Sequence, residues 1–319
     1  DWRWEALPIK PEMLPELIPC GNELGVITEQ AAQETGIPAG LPLISAGADK
    51  ACEVLGSGCL TPETGSLSYG TTATINTNNV NYIEPQPFIP PYPSAIPNQY
   101  NSEIMIYRGF WMVNWFKKEF GQSEIEKGKS LGVSAESLFD DLVKQVPPGS
   151  LGLMLQPYWS PGIKNLEAKG AILGFGDVHT RAHIYRSILE GLAYALREGK
   201  HTLEKRQKTK ITSLIISGGG SQSDAAMQLS ADIFNLPTHR PHTFETSGLG
   251  AAINAAVGCG YYESYQQATH NMTHIVDTFT PIKQNVALYD RLYSKVYLKM
   301  YKQLKPIYTQ IKKITGYPQ

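Results

Sequence analysis

A lone carboxylate, Asp49, stands in the stretch ISAGADKACEVLGSG (residues 44–58), with Gly47 before it and Gly56 and Gly58 after it. An apolar run ends there and a helix-forming run begins. Two kinds of chemistry suit an acid at such a place. It can cap the helix by accepting backbone N–H groups, or it can act as a general base at the floor of a cleft, taking a proton from a hydroxyl within hydrogen-bond reach. Two further bends suit an anionic ligand. In SLSYGTTATINT (66–77), two Thr-, Tyr- and Ile-rich runs meet at Gly70, with Thr71 and Thr72 at the bend. Backbone amides and hydroxyls in a hairpin tip of this kind can point together at phosphate oxygens. In LIISGGGSQSDAAMQLSAD (214–232), an apolar strand ends at Ser217, and Gly218, Gly219 and Gly220 follow. Ser221 stands three residues ahead of Asp224, the spacing of a capping box. Glycines admit a ligand close to the backbone, and a helix start offers unpaired N–H groups and the positive end of a dipole. The corner is neither a Rossmann fingerprint, which would need glycine at Ser223, nor a Walker loop, since no Gly-Lys-Ser/Thr follows. Each bend alone is equally well a structural turn.

The elements that must hold these bends follow from periodicity. Residues 11 to 36 read as helical in pieces, Leu41 to Ser45 as a strand, and Asp49 to Leu55 as a helix with Ala51, Val54 and Leu55 on one side. Ser66 to Thr77 is a hairpin bent at Gly70. The proline-dense run YIEPQPFIPPYPSAIP (82–97) excludes a helix or a central strand and should cross a surface. Further expectations are a strand at Glu103 to Tyr107, helices at 110–120 and 135–144, strands at Leu151 to Gln156 and Ala171 to Leu173, and a loop between those two. A long helix starts near Thr180, with Ile184, Ile188, Leu192 and Ala195 in one buried stripe. A strand to Ser217, a helix at 222–234, a short strand near His239 and a helix at 247–257 come next. The chain ends in a helical stretch from about Leu288 to Ile314, broken near Pro306. Strands come first in consecutive pairs and then alternate with helices, the mark of an α/β chain with one mixed sheet.

Composition narrows the function classes. The 319 residues include 28 basic and 29 acidic ones, so the formal charge of −1 leaves no electrostatic footprint for nucleic acid or a membrane surface. Basic clusters such as Lys200 to Lys210 read as solvated helix faces. No apolar run approaches the ~20 residues that span a bilayer, and no signal peptide is visible. Cys20, Cys52, Cys59 and Cys259 lack metal or disulfide spacing, and the His pairs lack an adjacent carboxylate motif, which points to a reduced, cytoplasmic setting without a metal site. The first residue is Asp1 rather than Met, so a piece of a longer chain is expected.

An acid before a Gly-bounded helix, a Gly-Thr hairpin and a strand–GGG–helix, in this order, resemble the FGGY family of carbohydrate kinases, members of the actin-like ATPase superfamily. GAILGFGDVHTRAHIYRSILEG (170–191) is similar to the family's second signature, and ETSGLGAAINAAVGCGYY (245–262) to its small-residue helix. The resemblance covers about residues 40 to 300. It implies an α/β, actin-like ATPase (ribonuclease H-like) fold with a mixed sheet flanked by helices, and an enzyme that transfers phosphate from ATP, with Mg²⁺, to a sugar or polyol hydroxyl.

By the same resemblance Asp49 is the base that takes the hydroxyl proton. Gly70, Thr71 and Thr72 contact the transferred end of ATP, and Gly219, Gly220 and Ser221 lie against its adenosine part. Asp224 stands where relatives often place an amide, and Asn114 approaches the nucleotide. Mg²⁺ is carried mostly by phosphates and water. The family's Asp-x-Gly-Thr segment is absent from the sequence. Residues 1–60 are therefore expected to be the end of a first, sugar-binding lobe, and 61–319 a second, nucleotide-binding lobe with a C-terminal helix. The implied partners are a small carbohydrate and the missing first lobe, with a homodimer left open. A competing reading is a non-catalytic nucleotide-binding or assembly protein of the actin and Hsp70 kind.

Overall fold

A computed structural model of the chain describes residues 9–160, 162 and 166–317. Glu23–Val26 (β1), Glu29–Thr35 (α1) and Pro42–Ile44 (β2) come first; β1 and β2 pair antiparallel as a separate two-stranded ribbon. Then follow Asp49–Gly56 (α2), Thr64–Tyr69 (β3), Ala73–Asn79 (β4), Tyr92–Pro93 (β5), Tyr100–Ile106 (β6), Trp111–Phe120 (α3), Gln122–Leu131 (α4) and Asp140–Lys144 (α5). Met154–Gln156 (β7) pairs with Ala171–Leu173 (β8) in a second small ribbon. The rest comprises Arg181–Gln207 (α6), Ser213–Ser217 (β9), Asp224–Phe234 (α7), Thr238–Pro241 (β10), Thr246–Gly258 (α8), Tyr265–Met272 (α9), Ile275–Phe279 (β11), Lys283–Leu292 (α10) and Leu298–Thr315 (α11).

The central sheet has seven strands in the order β11-β10-β9-β3-β4-β6-β5. β10, β9 and β3 run parallel, and the remaining neighbours pair antiparallel. It is the mixed sheet expected. Its two faces differ because side chains alternate along each strand. Leu67, Ile75, Ile104, Leu214 and Ile216 face the main core, where the Ile188, Leu192 and Leu196 stripe of α6 covers them. Gly199 lets α6 come close, since a Cβ there would lie 3.0 Å from Ile104 Cγ2. The other face carries Ser66, Ser68 and Asn76, all buried. Buried hydroxyls need partners, and α2 supplies them: Ser57 Oγ donates to Ser66 Oγ at 3.0 Å and Lys50 Nζ donates to Ser68 Oγ at 3.1 Å.

α2 rests on α8 at a backbone-to-backbone crossing. A Cβ at Gly56 would collide with the Thr246 carbonyl, and one at Gly250 with the Cys52 carbonyl. The small-residue stretch near Gly250 is therefore a packing device. Leu189-Glu190-Gly191 is likewise structural. Glu190 accepts from Gly149 N–H and Ser150 Oγ at 2.9 Å and pairs with Arg186 at 2.8 Å, while Gly191 makes room for the Leu155 carbonyl.

Several expectations change. α4, α9 and β11 were not expected. The helix expected at 135–144 is a 3₁₀ turn at Glu136–Leu138 followed by α5. Helix α7 is capped by Ser223, whose side chain accepts from Ala226 N–H at 3.0 Å, and not by Ser221. The C-terminal stretch runs through Pro306; its irregular turn lies at Tyr293–Tyr297, where both tyrosines are buried. Packing on either side of Pro306, with Met300 and Tyr308 buried, offsets the one backbone bond that proline removes. The proline-dense run adds β5 to the sheet edge and buries Ala95 and Ile96 beside α2. Lys200 is no solvated charge, for it is buried and donates to Glu204 at 2.8 Å. Of the loop expected after β7, residues 161 and 163–165 lie outside the described residues.

The α2–α8 crossing yields a prediction. Gly250→Ala should destabilise the chain by about 1–3 kcal/mol, as overpacking does. Gly248→Ala, two residues earlier in the same helix where a Cβ meets nothing within 4 Å, should leave stability unchanged or raise it by up to about 1 kcal/mol. Urea midpoints of the two variants would check this, and equal midpoints would refute the crossing.

Candidate active site

β3 and β9 are parallel neighbours, and both end at a sequence-predicted bend. Ligands of open α/β sheets gather at such carboxyl ends. Ser68 is registered with Ser217, which sets Tyr69 beside Gly218. Gly218 has φ +79°, and a Cβ there would stand 3.0 Å from the Tyr69 carbonyl carbon, so only glycine fits. The two bends thus touch through their backbones. The carbonyls of Gly70 and Thr71 accept the N–H groups of Phe110 and Trp111 at 3.0 and 3.3 Å, so α3 starts directly from the hairpin tip. That places Asn114, exposed on α3, about one turn from the tip.

The third bend joins through Lys50. Asp49 is the first residue of α2, and among the described residues its carboxylate accepts only the adjacent Lys50 N–H, at 2.7 Å, while Ala48 holds the cap position without a side-chain bond. The Lys50 ammonium reaches Ser68, two residues before Gly70. Asp49, Thr71 and Gly219 are all exposed. Thr72 is half-buried, its Oγ1 donating to the Tyr107 carbonyl at 3.4 Å.

The residues of the glycine corner divide. At Gly219 an added Cβ meets nothing within 4 Å, so this is the open position. At Gly220 it would enter the Phe110 ring, which stacks on Tyr69 with centroids 4.3 Å apart. Gly220 is therefore required by packing, where the sequence suggested adenosine space. Ser221 is buried and donates to the Gly218 carbonyl at 2.7 Å, closing the turn on itself. Asp224 is ion-paired with Arg240 at 2.6 Å, and Arg240 Nε also donates to the Ser221 carbonyl at 2.7 Å. Arg240, a clamp on this corner, escaped the sequence reading, because a lone arginine in a short strand has no local signature. The loop before α8 closes the corner from the other side, with Phe244 O accepting Gly218 N–H at 3.1 Å.

A second missed group lies beneath Asp49. Glu103, opposite Asn76 in the β4–β6 ladder, has a buried Oε1 without a hydrogen-bond partner. Burial raises its pKa, Lys50 and then the nearby Tyr92 hydroxyl lower it, and Glu53 and Asp49 raise it again. Tyr92, whose hydroxyl donates to Asn76 Oδ1 at 2.7 Å, is held far above its usual range by burial and then by Glu103 and Glu53. Two concavities of about 400 Å³ each lie around α4, one reaching Arg181 and the other Gly132; neither includes a residue of the three bends. The bends meet instead on an open ledge where Asp49, Thr71 and Gly219 are exposed. No described group of three or more His, Cys, Asp or Glu side chains is arranged to hold a metal ion, and no described helix is long and apolar enough to cross a membrane.

The chain is similar to known proteins over most of its length. The sequence profile of the FGGY family of carbohydrate kinases, C-terminal domain, matches residues 65–259, more than half of the chain. An uncharacterized sugar kinase of Escherichia coli (strain K12), YgcE, is 36% identical over 300 residues, covering 92% of this chain and 61% of that protein. The xylulose kinase of Lactococcus lactis (strain IL1403) is 30% identical, covering 98% of this chain and 59% of the relative. The chain thus spans about three fifths of the length of these relatives. The crystal structure of xylulose kinase from Rhodospirillum rubrum superposes with a TM-score of 0.80 at 28% identity, over 94% of this chain and 59% of that one. The mixed sheet with its flanking helices is accordingly the actin-like ATPase fold, and the chain belongs to the FGGY family of carbohydrate kinases, whose C-terminal domain it carries.

Proposed function

We propose that this chain provides the nucleotide-binding lobe and the proton acceptor of an ATP-dependent kinase for a sugar or polyol hydroxyl. The observation that carries the proposal is the convergence of the three bends: Lys50 links the start of α2 to β3, and Gly218 packs on Tyr69 at the end of the same strand. In the reaction the sugar hydroxyl oxygen bonds to the γ-phosphorus, the bond from that phosphorus to the bridging oxygen breaks, and ADP leaves. The hydroxyl proton passes to the Asp49 carboxylate. Such a transfer asks chiefly for alignment and charge stabilisation. Gly70, Thr71 and Thr72 would hold the transferred end, and Gly219 would admit the nucleotide against the backbone. Gly220, Ser221 and Asp224 would shape that corner, and Asn114 would approach from α3. Mg²⁺ would be held by phosphate oxygens and water, offsetting their charge.

The substrate we put first is a pentulose, because relatives named xylulose kinase match almost the whole of this chain. Residues 1–60 would complete a first, sugar-binding lobe, and 61–319 would form the second. The ribbon supports this division: Val26, registered with Pro42, and Leu43, registered with Gly25, leave about half-exposed apolar side chains on both of its faces, suited to further packing. Binding of ATP by this chain alone would then be weak and transfer negligible. A cytoplasmic setting fits the free cysteines, two of them buried.

Turnover by the complete enzyme, first lobe included, with pentuloses, polyols and hexonates tests the reading; ATP hydrolysis indifferent to every acceptor would refute it. Asp49→Asn should lower kcat by roughly 10²–10⁴-fold, the usual contribution of a general base, with ATP affinity by calorimetry essentially unchanged. Normal turnover in that variant would remove Asp49 from the chemistry. Gly219→Val should weaken ATP binding by about tenfold or more at unchanged melting temperature, since its side chain enters only the open ledge. Gly220→Val should lower the melting temperature as well, by displacing Phe110. An unaltered ATP affinity in Gly219→Val would place the nucleotide elsewhere.

A further inference from the structure

Lys50 makes two contacts, one of which an ordinary helical lysine has no need of. Its ammonium lies 2.9 Å from Glu53 Oε2 and donates to Ser68 Oγ at 3.1 Å. The first is an ordinary i, i+3 helix pair, worth little by itself. The second is different, because Ser68 is a buried residue of β3 whose hydroxyl lies against the Gly70 bend, 3.7 Å from where a Cβ on Gly70 would stand. α2 offers Asp49 and Glu53 to this spot, β6 offers Glu103, and β5 offers Tyr92. A terminal phosphate brought to Asp49 would meet three carboxyl groups from two elements, and Lys50 is the cation set among them.

We propose, building on the kinase reading, that Lys50 is a positioning residue for phosphoryl transfer: it tethers the helix of Asp49 to the strand of Gly70, and its charge offsets Glu53 and Glu103 where the terminal phosphate arrives. The tether matters because transfer demands that base, hydroxyl and phosphorus lie in line, and a displacement of about 1 Å can cost on the order of 10²-fold in rate. The offset matters because a carboxylate beside like charges resists ionisation, while a cation within reach favours it. Lys50 links both effects, since its ammonium touches the acid of its own helix and the hydroxyl of the neighbouring strand. The orphaned Oε1 of Glu103 is the group that loses most if that charge goes.

Three variants separate the two effects. Lys50→Met, in the complete enzyme, should lower kcat about tenfold or more and move the acid limb of kcat/KM upward by about one pH unit, because Glu103 then loses the cation that lowers its pKa. Lys50→Arg keeps the charge and should restore the acid limb while recovering kcat only in part. Ser68→Ala removes the tether alone and should lower kcat with the acid limb in place. A readout independent of turnover is the infrared band of protonated carboxyl groups, which in Lys50→Met should persist to higher pH than in the unaltered protein. If that band and the acid limb are both unmoved in folded Lys50→Met, the inference is overturned. If no acceptor is phosphorylated by the unaltered enzyme, the kinase reading fails, while the infrared titration still decides whether Lys50 governs the carboxyl cluster; an unmoved band there overturns the inference on its own.

Discussion

The register between β3 and β9 is the constraint on which the rest of the molecule depends. Five residue pairs, from Thr64 with Ser213 to Ser68 with Ser217, set the two strands side by side so that both end on one rim. Because side chains alternate along a strand, a slip of one residue would turn β3 over. Leu67 and Tyr69 would leave the core, and Ser66 and Ser68 would enter it. In the observed register Tyr69 lies against Gly218, its ring stacks on Phe110, and Phe110 in turn is bound through its N–H to the Gly70 carbonyl. A hairpin tip and a glycine corner about 150 residues apart in the chain become one ledge by backbone contact.

A second constraint sets the height of Asp49 over that ledge. α2 and α8 cross so closely that Gly56 and Gly250 leave no space for a side chain. Under α2 the sheet is polar, and its groups are satisfied chiefly by the helix above and by Tyr92 from the edge strand. An apolar face there would have packed as well, but it would have given Lys50 nothing to bond. The polarity of one sheet face and the placement of one cation are thus parts of a single arrangement. Glu103 is its incompletely satisfied member, the kind of buried group that occurs where function competes with stability.

The elements legible in the sequence were those whose signals are local. The Gly70 hairpin, the strand into Ser217, the α6 stripe and the helix after Gly47 all follow from alternation, helical spacing and glycine punctuation. α4, QSEIEKGKSL, went unread because its surface-facing residues are mostly polar and only Glu124 and Gly128 are buried. Pro306 reads as a break because proline opposes helix locally, whereas Met300 and Tyr308 hold the helix from either side. Lys200 reads as a solvated charge because, although its i, i+4 partner Glu204 is local, the burial of both side chains is a tertiary fact. The capping serine was misplaced by two residues, since the 3₁₀ turn at Gly219–Gln222 postpones the start of α7.

Three bends, their glycines and hydroxyls, and the lone acid at the head of a helix were determined by the sequence itself, because each depends on backbone freedom within a few residues. The family likeness rests on their order. Tertiary structure alone decided which glycine is open and which is filled, since that turns on Phe110, far from Gly220 in the chain. It also decided that Arg240 clamps the corner and that Lys50 meets Ser68. Contacts between residues distant in sequence leave no periodic trace, and they form only when the sheet register brings their strands together.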